Sequence, residues 1–239
     1  MQSDFLRING QFKEVGFCVV PEIYTDLEVN RIIAFIEASD KSNANFLKSK
    51  DVYAIRGVLN ELPELASFVF NQKLLDLISG VFSKEYFLVK AIYFDKPASS
   101  NWVVPYHQDL TISVKEKIEQ PGFVNWTIKN GQFAVQPPVS ILENIFTIRI
   151  HLDDTDENNG ALKVISKSHT RGFIRVDQFN FKAESEVICN IPKGGLMFMR
   201  PLLLHASNRT VNSLPRRVIH LEFSNCQLPG GLNWAEKFY

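Results

Sequence analysis

The stretch 145-IFTIRIHL-152 decides how the chain is folded. Phe146, Ile148, Ile150 and Leu152 alternate with Thr147, Arg149 and His151, the period of two expected of a strand with two unlike faces. Such a strand buries its apolar face in a core. Its polar face meets solvent or, in a barrel that encloses a ligand cavity, points inward. Further strands are expected at 86–94, 161–165, 186–191, 195–199 and 217–223, short and separated by loops, with no long helix between them. That pattern favours an antiparallel sandwich or jelly roll over a parallel α/β sheet. The expected class is mainly β with flanking helices.

The first 85 residues read differently, as a mostly helical N-terminal elaboration on this β core. In 25-TDLEVNRIIAFIEAS-39, Thr25 and Glu28 have the spacing of a capping box, and Val29, Ile32, Ile33 and Ile36 recur at helical intervals. A second helix is predicted over 72–82, with Asn71 as its N-cap and Gly80 near its end. The segment 110–138 crowds charge at Lys115, Glu116 and Lys117 and is punctuated by Pro121, Gly122, Pro137 and Pro138. It predicts a mobile lid and no regular strand. A length of 239 residues with 45% hydrophobic content suits a single domain spanning 1–239.

Composition narrows the partners. Twenty-six basic and 26 acidic residues cancel without long runs of one sign, so no nucleic-acid footprint is present and a small-molecule partner is expected. Cys18, Cys189 and Cys226 are odd in number and lack a Cys-x-x-Cys spacing, which argues against a disulfide framework or a zinc site and for a reducing compartment. The opening MQSDFLRING lacks the pattern of a signal peptide, and no apolar stretch is long enough to span a bilayer. These features predict a soluble cytoplasmic protein without a membrane partner.

Chemistry concentrates in two places. In 105-PYHQDLTIS-113, His107 and Asp109 stand two positions apart, so in an extended segment both point to one side. In 200-RPLLLHASNRTVNSLPRRVIHLEF-223, an apolar approach delivers His205, and Arg216 and Arg217 open the last strand. Two neutral imidazoles and one carboxylate on one face of an octahedron leave positions open, an arrangement suited to Fe(II) that must also take O2 and an oxidisable cosubstrate. Zinc is the rival metal, because catalytic zinc uses the same donors. An arginine beyond the distal histidine favours iron, since its guanidinium matches the far carboxylate of a 2-oxo acid.

The blocks 14-EVGFCVVPEIYTDLEVNRII-33, 94-FDKPASSNWVVPYHQD-109, 152-LDDTDENNGALKVISKSH-169 and 194-GGLMFMRPLLLHAS-207, followed by Pro215, Arg216 and Arg217, carry a resemblance over most of the chain. In order and spacing they resemble the phytanoyl-CoA dioxygenase family of Fe(II) and 2-oxoglutarate dependent oxygenases. The resemblance implies a double-stranded β-helix, the cupin-like jelly roll, with His107, Asp109 and His205 as metal and catalytic ligands. It also implies Arg216, about eleven residues past His205, as the anchor of 2-oxoglutarate, with Ser207, Thr147 and Lys90 as further cosubstrate contacts. The family's Pro-Gly-Ser-His turn is here 166-SKSH-169, and Ala206 replaces its glycine after the distal histidine. Related halogenases lack the carboxylate that Asp109 supplies, which points to hydroxylation, with release of succinate and CO2.

Alternation along 216-RRVIHLEF-223 competes with family spacing over the anchor. It sets Arg217 beside Ile219, Leu221 and Phe223, and makes Arg217 the anchor if that apolar row faces the cavity. Spacing selects Arg216, with the apolar row buried under helices instead. His151, His169 and His220 read as structural, while Arg56, Trp102, Tyr106 and Trp126 are candidates for shaping a substrate pocket. Two rivals to the oxygenase are a non-catalytic jelly roll that binds a metal or small molecule and a cupin-like metal isomerase or hydrolase.

Overall fold

The structure, a computed structural model, describes residues 2–39, 46–48, 53–82, 85–96, 103–129 and 131–238. Trp102 lies outside them. The N-terminal part comprises α1 (Gln2–Val15), β1 (Phe17–Val20), α2 (Asp26–Ala38), β2 (Phe46–Lys48), β3 (Tyr53–Arg56), α3 (Val58–Glu61), α4 (Leu65–Val69) and α5 (Gln72–Val81). Then follow β4 (Phe87–Lys96), β5 (Val104–His107), β6 (Ile112–Val114), β7 (Val124–Lys129), β8 (Gln132–Gln136), α6 (Val139–Leu142), β9 (Ile145–His151), β10 (Leu162–Ile165), β11 (Glu186–Cys189), β12 (Leu196–Met199), β13 (His205–Ser207) and β14 (Arg216–Ser224).

Seven strands form the major sheet in the order β1-β12-β9-β14-β4-β3-β2, and four form the minor sheet in the order β11-β10-β13-β5. Pairing is antiparallel throughout the described strands. This is the mainly β jelly roll that the strand pattern favours, and the double-stranded β-helix that the resemblance implies. Both helix caps form as expected. The Thr25 hydroxyl accepts from the Glu28 backbone N–H while Glu28 reaches back to the Thr25 N–H, and the Asn71 side chain accepts from the Leu74 N–H.

The two faces of the major sheet explain its alternation. Phe146, Ile148, Ile150, Leu152, Ile219, Leu221 and Phe223 share one core with helix residues Phe12, Val29, Ile32, Ile36, Leu65, Leu74 and Leu77. The apolar face of 145–152 is therefore covered by the N-terminal helices, and the polar row of Thr147, Arg149 and His151 turns inward and is buried. Arg149 pairs in register with His220 and Thr147 with Glu222, so the inward rows of β9 and β14 are continuous. Between the two sheets Val164, Cys189, Met197, Met199 and Leu203 close one end with a second apolar cluster.

The segment 110–138 departs from expectation. It forms a third antiparallel sheet in the order β6-β8-β7, in place of an irregular cover. Ile112, Val114 and Val135 pack with Phe87, Val89 and Trp234, so alternation within short strands supplies the apolar face. The prolines and Gly122 that suggested irregularity sit at the ends of these strands. The helix α1 and strand β1 also exceed the sequence reading; Gly16 joins them at φ 91°, where a Cβ would come within 2.5 Å of the His169 ring.

Candidate metal centre

His107 ends β5, and its register partner across the minor sheet is His205, the first residue of β13. Their rings lie 4.2 Å apart between centroids. Asp109 follows two positions after His107, and its backbone N–H donates to the Pro201 carbonyl at 2.9 Å. Its carboxylate oxygens stand 3.9 Å from His107 Nε2 and 3.8 Å from His205 Nε2. One donor atom from each of the three lies within 4.8 Å of the others.

The opposite ring nitrogens set the tautomer. His107 Nδ1 lies 2.9 Å from the Pro105 carbonyl oxygen and His205 Nδ1 lies 2.8 Å from that of Leu203. A carbonyl only accepts, so each Nδ1 carries the proton and each Nε2 presents a lone pair toward Asp109. Burial opposes charge on Asp109, but His205, His220, His107 and Lys90 outweigh it and hold the carboxyl at about 2. Burial pushes His205 down to about 4. Near neutral pH the pair is an ionised carboxylate and a neutral imidazole, the states in which both bind a divalent cation.

Gln108, between His107 and Asp109, was not anticipated. Its Nε2 donates to the carbonyls of Leu202 at 2.7 Å and Gly172 at 2.8 Å, and its Oε1 accepts from the Ile174 N–H at 2.8 Å. Because all these contacts are made by one nearly buried amide, the loop bearing Asp109 is held against that approaching His205. The donor set, with both Nε2 atoms free and no thiolate, fits Fe(II) and equally a catalytic zinc.

The triad opens on a cavity of about 820 Å³ whose far wall is the inner face of the major sheet. Arg216 lines it, with Nε and Nη1 buried and unpartnered. Burial, then the charge of Arg149, pushes its guanidinium down to about 9. Arg217 points away, donating to Asp153 at 3.0 and 2.7 Å and to Glu37 at 3.1 Å. Lys96, the register partner of Arg216, also lines the cavity, and its ammonium donates to the Asn208 carbonyl at 2.7 Å. The resemblance named Lys90 instead; only strand register brings Lys96 beside Arg216.

The remaining candidates separate clearly. Ser207 lines the cavity two residues beyond His205, and Lys90 lines it with its ammonium donating to Glu222 at 2.8 Å. Thr147 is fully buried, with its hydroxyl unpartnered and in register with Glu222. His220 belongs to a chain of bonds along the cavity: Arg149 Nη1 lies 3.1 Å from its Nδ1, and its Nε2 lies 3.0 Å from Glu222. Arginine only donates, so Nδ1 accepts and Nε2 donates to the carboxylate. Arg56 lines the cavity from β3. Tyr106 instead bonds Glu186, and Trp126 packs at the edge of the third sheet's core. His169 sits against the Lys13 carbonyl, apart from the triad.

A jelly roll with two histidines and a carboxylate converging at one end, and an inward arginine on the facing sheet, defines the class of non-haem iron, 2-oxoglutarate dependent enzymes. The family model of phytanoyl-CoA dioxygenase (PhyH) matches residues 12–218, and the chain belongs to that family. Among solved structures the fold is similar to AviO1 from Streptomyces viridochromogenes Tue57, at 16% identity and a TM-score of 0.66 over 95% of this chain and 97% of that one. It is similar to the epimerase SnoN in complex with Fe3+, alpha ketoglutarate and nogalamycin RO, at 12% identity and a TM-score of 0.71 over 99% and 95% of the two chains. HygX from Streptomyces hygroscopicus, with nickel, 2-oxoglutarate and hygromycin B bound, aligns at 14% identity and a TM-score of 0.67 over 91% and 86%. No curated protein matches the sequence.

Proposed function

We propose that the protein is an Fe(II) and 2-oxoglutarate dependent dioxygenase that hydroxylates a small molecule and releases succinate and CO2. The observation that carries this reading is the pairing of the triad with a buried, unpartnered Arg216 in one cavity. When bound, iron would supply the oxidising chemistry, joining O2 reduction to decarboxylation of 2-oxoglutarate and insertion of oxygen into the substrate. His107, Asp109 and His205 would hold it from one side and leave the cavity side for cosubstrate and O2. Arg216 orients 2-oxoglutarate by its far carboxylate, and Lys96 and Ser207 flank that position. Lys90 and Thr147 remain candidates for the same cosubstrate, although Lys90 is engaged by Glu222. The third sheet covers the cavity with Ser113, Thr127, Gln132 and Ala134 and limits access of water.

The three cysteines are free, and no described helix is long and apolar enough to cross a membrane. The free thiols support a reducing, cytoplasmic setting.

Anaerobic addition of Fe(II) and 2-oxoglutarate is expected to give a weak visible charge-transfer band. Succinate should then form on admitting O2, and the product should carry one added oxygen atom. Ala at His107, Asp109 or His205 should remove the band and the succinate while the circular dichroism spectrum is retained. No band in iron-loaded protein would reject the oxygenase reading. A product of unchanged mass would keep the cofactors and replace hydroxylation with an isomerising outcome, the activity named for the epimerase SnoN.

A further inference from the structure

The charges on the cavity wall do not balance. Arg56, Lys90, Lys96, Arg149 and Arg216 face only Asp109 and Glu222 as carboxylates. A divalent metal and dianionic 2-oxoglutarate neutralise each other, so occupancy of the site leaves this excess of positive charge in place. Most of these cations are engaged. Lys90 is paired with Glu222, Arg149 is bound to His220, and Lys96 is held by the Asn208 carbonyl. Arg216 has the cosubstrate under the reading above. Arg56 is the exception: half-buried, it has no hydrogen bond or ion pair among the described residues.

Its position separates it from the cosubstrate. Arg56 is in register with Ile92 of β4, and Ile92 with His220 of β14. Arg56 thus stands in the same row as His220, two strand spacings away or roughly 10 Å between backbones. Arg216 belongs to a different row, four residues from His220 along β14. The wall beside Arg56 is apolar, with Ala54 two residues before it on β3, Ile92 as its register partner and Phe94 as the register partner of Ala54. A guanidinium beside an apolar surface in a confined cavity binds carboxylate or phosphate oxygens with two parallel hydrogen bonds, strengthened by partial exclusion of water.

We propose that Arg56 is the anion receptor of the primary substrate, an apolar small molecule that carries a carboxylate or phosphate group. This rests on the assignment of the triad to metal and of Arg216 to 2-oxoglutarate. With that carboxylate or phosphate held by Arg56, the apolar body of the substrate lies along Ile92 and Phe94 toward the triad. Arg56 thereby selects substrates by charge and fixes which carbon is presented.

The test uses protein loaded anaerobically with Fe(II) and saturating 2-oxoglutarate, so that Arg216 is occupied. Titration calorimetry compares 4-phenylbutyrate, 3-phenylpropyl phosphate and the neutral 4-phenylbutanamide. One or both anions should bind about tenfold or more tightly than the amide, and the order of the two identifies carboxylate or phosphate as the natural group. Arg56→Gln should abolish the preference for anions, Arg56→Lys should restore part of it, and both variants should keep the charge-transfer band and the melting temperature. Equal binding of all three probes, no binding of any, or a preference that survives in Arg56→Gln would overturn the proposal. Loss of the band in wild-type protein would instead reject the assignment of the cofactors, so the two failures are distinguishable.

Discussion

Two adjacent arginines show how much one position on a strand decides. Arg216 and Arg217 have the same chemistry, but side chains alternate across β14, so one enters the cavity and the other meets Asp153 and Glu37 outside. Family spacing favours Arg216, whereas the apolar row of Ile219, Leu221 and Phe223 favours Arg217 if apolar means inward. That row packs under the helices, so the outward face is the greasy one and the cavity face is polar. Arg216→Ala should raise the apparent KM for 2-oxoglutarate roughly a hundredfold or more, since loss of a buried guanidinium partner costs about 3–5 kcal/mol. Arg217→Ala should leave that KM nearly unchanged but lower unfolding free energy by about 1–2 kcal/mol through the lost bonds to Asp153. Steady-state kinetics and urea unfolding of both variants check the pair, and a reversed ranking in KM would reassign the anchor.

At the scale of elements, the segment between β5 and β9 carries the largest departure from the sequence reading. Prolines, Gly122 and a run of charge are features of a loop, and they do mark loops here, the one joining β6 to β7 and the one that follows β8. The loop joining β6 to β7 holds Lys115, Glu116 and Lys117, all exposed, while Val135 of β8 is fully buried. Limited trypsin digestion should therefore cut first at Lys115 and Lys117, with β8 released only later, as read by mass spectrometry of the fragments. Cleavage spread evenly over 110–138 would restore the irregular lid and remove the sheet. The C-terminal segment reinforces this cover. The Ala235 N–H donates to the Ser113 carbonyl and the Lys115 N–H to that of Asn233, while Phe238 exchanges both backbone bonds with Leu88. One strap thus ties the third sheet to β4.

For the molecule as a whole, that strap introduces a pH dependence. Glu236 is buried, with Oε1 accepting from the Ala91 N–H at 3.3 Å and Oε2 unpartnered. Burial, only partly offset by the Ala91 hydrogen bond and Lys90, pushes its carboxyl up to about 7. An acid whose pKa rises on folding favours the fold while protonated. Its contribution is complete below the unfolded value, near 4.5, and is lost as pH rises through about 7. Compared with Glu236→Gln, the wild-type metal-free protein should therefore lose on the order of 2–3 kcal/mol between pH 5 and pH 8. Urea unfolding of both proteins at the two pH values measures it, and a constant difference would show that the carboxyl is not buried in the folded chain.

The sequence by itself determined the local terms. Period-two alternation specified β9 and β14, a capping box and an asparagine cap specified two helices, and the i, i+2 spacing specified that His107 and Asp109 face one side. These depend on neighbours within a few residues, so they are legible in one dimension. Helix α1, strand β1 and the short strands of the third sheet carry weaker local signals, and packing settles them. Gln108 and Lys96 lay beyond local reading for a different reason, and Arg56, a pocket candidate in the sequence, owes its place in the cavity wall to the same cause. Gln108 matters through carbonyls of Gly172 and Leu202, Lys96 through its register with Arg216, and Arg56 through a row that crosses three strands. Only the tertiary structure decided these, because strand register and loop approach arise from burying the whole sheet at once, and that free energy belongs to no single segment.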